Sequence, residues 1–407
     1  MNAMSFASTP RLSSWHIPEL DGIRGLAILI VVVYHFFGGA DPHFGFWLRH
    51  ILGALSIGWS GVDLFFVLSG FLIGGILLDA RTSPNYFRTF YMRRVFRILP
   101  VYYFWSFLYG FLVLGALWFA PGRFSVGFHD LYQVPVHLLF LQNMWITSAF
   151  IPSTWFVVTW SLAVEEQFYL IAPPLMRYLS SRKLIWILVS AICVAPFVRF
   201  VVYRMARNPF SAAFLMPCRA DALSCGVLLA IAWRDARVRE WVLGHAALLK
   251  RALVVLVLGV GGLLWWLVHP INTVTVTIGY TWLALFYSAL LLAVVSQPGS
   301  RLASVMRCGF LRWLGGISYC LYVIHLTLNY VAHSLFLHGT PQVHNLRGLA
   351  VSVFALLVSV FVALLSLRYF ERPLIRRGHS YSYGEPASAA PLVGTGEGFS
   401  VPEVSPP

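Results

Sequence analysis

The chain has 407 residues, of which 59% are hydrophobic and only 11% charged. A soluble protein carries roughly 25% charged residues, so the composition excludes an ordinary soluble fold and points to repeated membrane crossing. The net charge of +14 would suggest nucleic acid as a partner in a soluble protein. Here the arginines cluster at the ends of apolar runs, where they set topology by the positive-inside rule, and no nucleic-acid partner is expected.

Residues 1–18 are polar and read as a cytoplasmic N-terminal segment. The first apolar run has no small-residue cleavage site after it and many similar runs follow, which argues against a cleaved signal peptide. Ten runs lie near the roughly 20 residues that a bilayer needs: 20–38, 55–79, 95–119, 157–178, 184–203, 212–233, 251–269, 275–296, 313–336 and 347–369. Alternate connections carry most of the arginines and lysines, as in Arg81, Arg88, Arg93 and Arg94 after the second run. That bias predicts both termini on the cytoplasmic side of the cell membrane. The segment Gly122–Thr154 holds an amphipathic piece, Pro135–Trp145, too short to cross, and reads as an external loop with a re-entrant or interfacial helix. The expectation is an all-α, polytopic bundle of about ten spans over residues 19–377, followed by a disordered cytoplasmic tail, 378–407, rich in Ser, Pro, Gly and Glu. The five cysteines form no CxxC pair, and most sit in or beside apolar runs, where packing is their expected role.

The first run, DGIRGLAILIVVVYHFF, carries Arg24 and His35. Eleven residues turn a helix by about 1100°, close to three full turns, so the two share a face about 16 Å apart. Ionisable groups within a membrane helix usually face a bundle interior or a watery cavity. The second run carries Asp63, an acid that needs a partner, and four glycines, Gly61, Gly70, Gly74 and Gly75, that allow close helix approach. Ser69 could be a nucleophile, although no local motif supports it. The third opens with Arg93, Arg94 and Arg97. Arg93 and Arg97 share a face, and paired guanidiniums suit a phosphorylated ligand. Glu165 and Glu166 in the fourth run fall about 13 Å below the external surface, at a height similar to that of His35. A buried imidazole beside a carboxylate can act as a general base. Adjacent helical residues point about 100° apart, so at most one glutamate faces it. Arg219 and Asp221 open the sixth run and could line an acceptor entrance or pair with neighbours. Tyr319, Tyr322 and His325 cover one side of the ninth. No HExxH, P-loop or GxSxG motif occurs, and the histidines lack zinc-ligand spacing, so no metal is expected.

In order along residues 20–373, the stretches LDGIRGLAILIVVVYH, GVDLFFVLSGFLI, RRVFRILPVYY, FLQNMW, TWSLAVEEQFYL, CRADALSCGVLLA, GGISYCLYVIHL and RYFERPL resemble the membrane acyltransferase-3 family. The resemblance implies a ten-span bundle that moves an acyl group, often acetyl, from cytoplasmic acyl-CoA to a hydroxyl, mainly of cell-surface carbohydrates. It implies that His35 is the essential histidine and Arg24 its partner, that Arg93, Arg94 and Arg97 form the basic motif near the CoA, and that Glu165 or Glu166 belongs to the acidic pair. Many relatives add an external SGNH-type domain, and this chain looks like the form without it.

The expected mechanism places the CoA phosphates on the arginines, with the acyl arm rising between the first three spans. His35 then deprotonates an acceptor hydroxyl while Glu165 or Glu166 orients it; an acyl-histidine intermediate stays open. A proton-coupled transporter or flippase is the rival reading, since buried His and Glu also suit a proton relay.

Overall fold

The computed structural model describes residues 17–38, 55–119, 122, 124, 128–145, 156–206, 208, 210–266 and 272–384. Among these residues the regular elements are all helical and no strand forms. Helix α1 (Pro18–Phe37) starts at a proline, whose missing N–H costs nothing in a first turn. Glu19 and Asp21 then sit where the positive end of the helix dipole favours acids. A 3-10 turn, Ser56–Ser60, leads into α2 (Gly61–Asp79). Helix α3 (Tyr86–Phe119) runs for 34 residues with Pro100 inside it. After three short helices come α4 (Trp160–Tyr178), α5 (Ser181–Met205) and α6 (Met216–Arg234). Helix Ala236–Gly244 then bends into α7 (Ala246–Trp266), and a π-turn at Thr275–Gly279 opens α8 (Tyr280–Ser296). The chain closes with α9 (Gly309–Leu337), α10 (Leu346–Ser366) and the short amphipathic α11 (Arg372–His379).

Among the described residues eight helices are long and apolar enough to cross a bilayer, and the pair Ala236–Gly244 and Ala246–Gly262, bent by 78°, makes a ninth if it is one broken span. The remaining expected span exists as α4, a 19-residue helix that holds three charges, Glu165, Glu166 and Arg177. The fold is thus the expected polytopic helical bundle, with eight or nine spans by apolarity where ten were expected.

Burial separates the centre from the rim. In the most apolar window of α2, 72% of residues are buried and in α9 67%, against 17% in α5. Helix α5 therefore offers its apolar side chains to lipid, while α2 and α9 carry the interior. Small residues set the central seams. A Cβ on Gly25 would strike the Leu311 carbonyl, and one on Gly315 would strike that of Asp21, so α1 and α9 touch backbone to backbone. Gly70 of α2 meets Gly226 of α6 in the same way, as the glycines of α2 suggested.

The segment between α3 and α4 does not cross. Its short helices, Phe128–Leu131, Gln133–Leu138 and Gln142–Trp145, tuck against the bundle. Tyr102 and Tyr103 donate to the carbonyls of His137 and Leu138, both at 3.1 Å, and Gln142 donates to the Thr159 carbonyl at 2.7 Å. Irregular backbone at this depth is tolerated only where protein groups satisfy it. The far end of the chain departs from expectation. Residues 378–384 of the segment expected to be disordered continue α11 to His379 and then pack on α3, while 385–407 lie outside the described residues, as do 1–16 of the N-terminal segment.

Candidate active site

A cavity of about 260 Å³ opens among α1, α2, α3, α4 and α9. Its lining on α2 runs from Phe65 to Ile76, about 16 Å of helix rise. One end is basic. Arg24 comes from α1 and Arg94 and Arg97 from α3, three residues apart and so on one face. The Arg94 guanidinium lies 5.4 Å from the centre of the Tyr169 ring. Arg24 bonds Asp21 of its own helix at 3.0 Å. Among the described residues no carboxylate lies within ion-pair distance of Arg94 or Arg97. Arg94 is half-buried and Arg97 exposed, and guanidiniums so presented at a cavity suit an anionic ligand.

Midway along the cavity sits Glu165. Ser69 donates to its Oε1 at 2.8 Å and Tyr169 to its Oε2 at 3.1 Å. Tyr319 donates to the carbonyl of Ile98, the residue after Arg97, at 2.9 Å; at the other end Tyr322 donates to the Val158 carbonyl at 2.9 Å while its oxygen lies 2.7 Å from the Ser161 hydroxyl.

His35 lies beyond that end and does not line this cavity. Its Nδ1 is 3.0 Å from Nε2 of His325, with the ring centres 5.0 Å apart. The tautomers follow from the partners. Nδ1 of His325 faces the carbonyls of Tyr322 at 2.8 Å and Leu321 at 3.1 Å, and a carbonyl only accepts. That nitrogen therefore carries the proton, Nε2 accepts from His35 Nδ1–H, and the free lone pair of His35 is on Nε2. An imidazole held in one tautomer, with its second nitrogen basic, is suited to remove a proton from a hydroxyl. Tyr322 belongs to both regions: its side chain lines the cavity and its carbonyl fixes His325.

The sequence expectations sort accordingly. Arg24, Arg94, Arg97, Glu165 and Tyr319 share the cavity, whereas Glu166 does not line it. Neither glutamate hydrogen-bonds His35; the residue that orients the imidazole is His325. The expected similar height does not hold: Glu165 lies level with Ser69 inside the cavity, whereas His35 lies beyond its Tyr322 end. Arg93 leaves the expected cluster: its Nε donates to the Tyr381 carbonyl at 2.7 Å. It is Arg94, three residues before Arg97, that shares the cavity face. Asp63, Arg219 and Asp221 lie elsewhere, as part of a buried layer. Arg219 bonds Asp63 at 2.5 Å, and Asp221 bonds Arg199 at 2.8 Å. Arg199 was missed, although an arginine inside an apolar run was itself a signal. Tyr169, one turn after Glu165, was legible from the i,i+4 rule. The Ser161–Tyr322 contact joins helices distant in sequence and had no local signal.

A family model described as an acyltransferase domain (Acyl_transf_3) matches residues 17–368. The chain is 26% identical over 402 residues to the peptidoglycan O-acetyltransferase OatA of Listeria monocytogenes, covering 91% of this chain and 57% of that protein. It is 28% identical to the putative peptidoglycan O-acetyltransferase YrhL of Bacillus subtilis, covering 89% and 55%, and 25% identical to the O-acetyltransferase OatA of Staphylococcus aureus, covering 89% and 58%. The chain thus spans a little over half the length of these curated relatives. No solved structure matches it. With that family model covering most of the chain, and with every helix that lines the cavity inside the match, the protein belongs to the acyltransferase-3 family.

Proposed function

We propose that the protein is a membrane O-acyltransferase that moves an acyl group, most simply acetyl, from acyl-CoA to a hydroxyl of a cell-envelope carbohydrate of the peptidoglycan type. On this reading the arginine-rich end faces the cytoplasm. Arg94 and Arg97, with Arg24, receive the donor's anionic part, and its arm lies along α2 toward Tyr322. His35 takes the proton of the acceptor hydroxyl on Nε2, the hydroxyl oxygen attacks the thioester carbonyl, the C–S bond breaks and the thiol leaves with the proton. His325 holds the His35 tautomer and stabilises the imidazolium by accepting its Nδ1–H. Glu165, on this reading, sets the electrostatics of the arginine end rather than the base.

The observation that carries the reading is the His35–His325 contact at 3.0 Å beside a cavity whose Arg94 and Arg97 pair with no carboxylate among the described residues. The test uses purified protein in nanodiscs with acetyl-CoA and soluble peptidoglycan fragments. Free thiol should appear only with both present, with acetyl on the glycan by mass spectrometry. An intact thioester, or fragments without acetyl, would sink the reading and leave the proton-coupled transporter in its place.

A further inference from the structure

The residues after α11 form a clasp on the outer turns of α3. Gly378 lies so near α3 that a Cβ there would be 3.1 Å from Cβ of Phe96. Asn85 Nδ2 donates to the Ser382 carbonyl at 2.6 Å, and its Oδ1 accepts from Gly384 N–H at 2.8 Å. Thr89 donates to the Ser382 carbonyl at 3.1 Å, and the Arg93 guanidinium sits 5.2 Å from the centre of the Tyr383 ring. Arg88 lies over Tyr381 at 5.7 Å.

This clasp leaves polar atoms unanswered. The Tyr383 hydroxyl is buried with no hydrogen-bond partner, and so is Nη1 of Arg177. Both belong to residues within electrostatic reach of Tyr86, whose own proton is committed to the Pro173 carbonyl. Arg93 spends Nε on the clasp, and its two terminal nitrogens bond nothing among the described residues. No carboxylate there pairs with Arg88, Arg93 or Arg177. The Tyr383 hydroxyl and Arg177 Nη1 are buried donors left unsatisfied, each at a cost of about 1–3 kcal/mol, and with the exposed Arg88, the half-buried Arg93 and no paired acid among the described residues they suit an anion.

We propose that the Gly378–Gly384 clasp completes a phosphate-binding site built by Arg88, Arg93, Arg177 and Tyr383, which takes the ribose phosphate at the nucleotide end of the donor, while the phosphates next to the arm lie at Arg94 and Arg97 and the acyl arm lies in the cavity. The inference rests on the acyl-CoA reading above. Size requires a division of this kind. The cavity, at about 260 Å³, falls below the roughly 300–1,000 Å³ of pockets that enclose a drug-sized ligand, and a nucleotide thioester is larger still. Arg93 lies one turn from Arg97, about 6 Å along the helix, so phosphate on the clasp and arm in the cavity are neighbours.

The test measures binding by calorimetry to the full chain in phosphatidylcholine nanodiscs. The probes are acetyl-CoA and S-acetylpantetheine, which keeps the arm and lacks the nucleotide. Tyr383→Phe keeps the ring and the packing, and Arg88→Gln with Arg93→Gln removes the charge. Acetyl-CoA should bind the double variant about tenfold more weakly, and Tyr383→Phe several-fold more weakly. S-acetylpantetheine should bind all forms alike. Equal losses for both probes, or no loss for acetyl-CoA, overturn the proposal. No loss for acetyl-CoA, together with weaker retention of added phosphatidylglycerol by the variants, assigns the patch to lipid headgroups instead. Wild-type protein that binds neither probe removes the acyl-CoA reading, and the proposal with it.

Discussion

Two charged regions lie inside the apolar bundle, and they are built on opposite rules. In the layer around Asp63, every charge has an opposite partner: Arg219 meets Asp63 at 2.5 Å, and Arg199 meets Asp221 at 2.8 Å while also donating to the Val276 and Cys218 carbonyls. In the cavity, Arg94 and Arg97 have no acid within ion-pair distance among the described residues, and Glu165 is held by hydroxyls. Pairing is the ordinary way to carry charge through lipid. Its absence in one region and its presence in the other separate charge kept for a ligand from charge kept for the fold.

The contrast can be broken from either side. The largest effect should come from His35→Ala, which removes the proposed base and should lower transfer by about 10³-fold, within the 10²–10⁴ range of general-base catalysis. Thermal unfolding should stay near that of the wild type; turnover retained in the inserted variant would remove His35 from the chemistry. Asp63→Asn tests the paired layer and should destabilise by about 3–5 kcal/mol, as for a buried pair that loses one member. Asp63→Leu with Arg219→Leu should regain most of that loss in the unfolding transition. A destabilisation that persists in the double variant would mean that the pair does more than neutralise itself.

His325→Ala should slow transfer by about tenfold to a hundredfold, the range found for groups that orient a metal-bound imidazole. His325→Gln, whose amide oxygen can accept from His35 Nδ1–H, should recover part of it. A loss of stability without this rescue would make His325 a packing residue. The smallest effect sharpens the cavity side. Arg97→Gln should raise the donor KM by about tenfold with kcat and unfolding temperature near wild type, since a charge-assisted bond contributes about 1.5–3 kcal/mol. A drop in stability with KM unchanged would move Arg97 to the structural group.

Much of this was readable in advance, and for physical reasons. Hydropathy gives the apolar helices, because a bilayer asks for length and apolarity and little else. The glycines of α2 announced a close seam, and Gly70 sits on one. What failed was pairing across helices. Depth along an axis is set by rise per residue, but which neighbour a side chain meets depends on helix rotation and crossing. So His35 and Glu165 part in height as well as azimuth, Glu165 lying level with Ser69 and His35 beyond the Tyr322 end of the cavity, while His325, read only as one side of α9, is the partner. Arg93 and Arg94 differ by one residue, and the 100° between them sends one to the clasp and the other to the cavity. The span count differed because Glu165, Glu166 and Arg177 lower the apolarity of a helix that is nonetheless present.

Tyr322 lines the cavity, pinned by Val158 and Ser161, and its own carbonyl steers His325. On the acyltransferase reading an activated ester lying along α2 has this ring between it and the alcohol at His35. The same residue lends its carbonyl to the histidine that orients the base, so partition and base are built on one turn of helix.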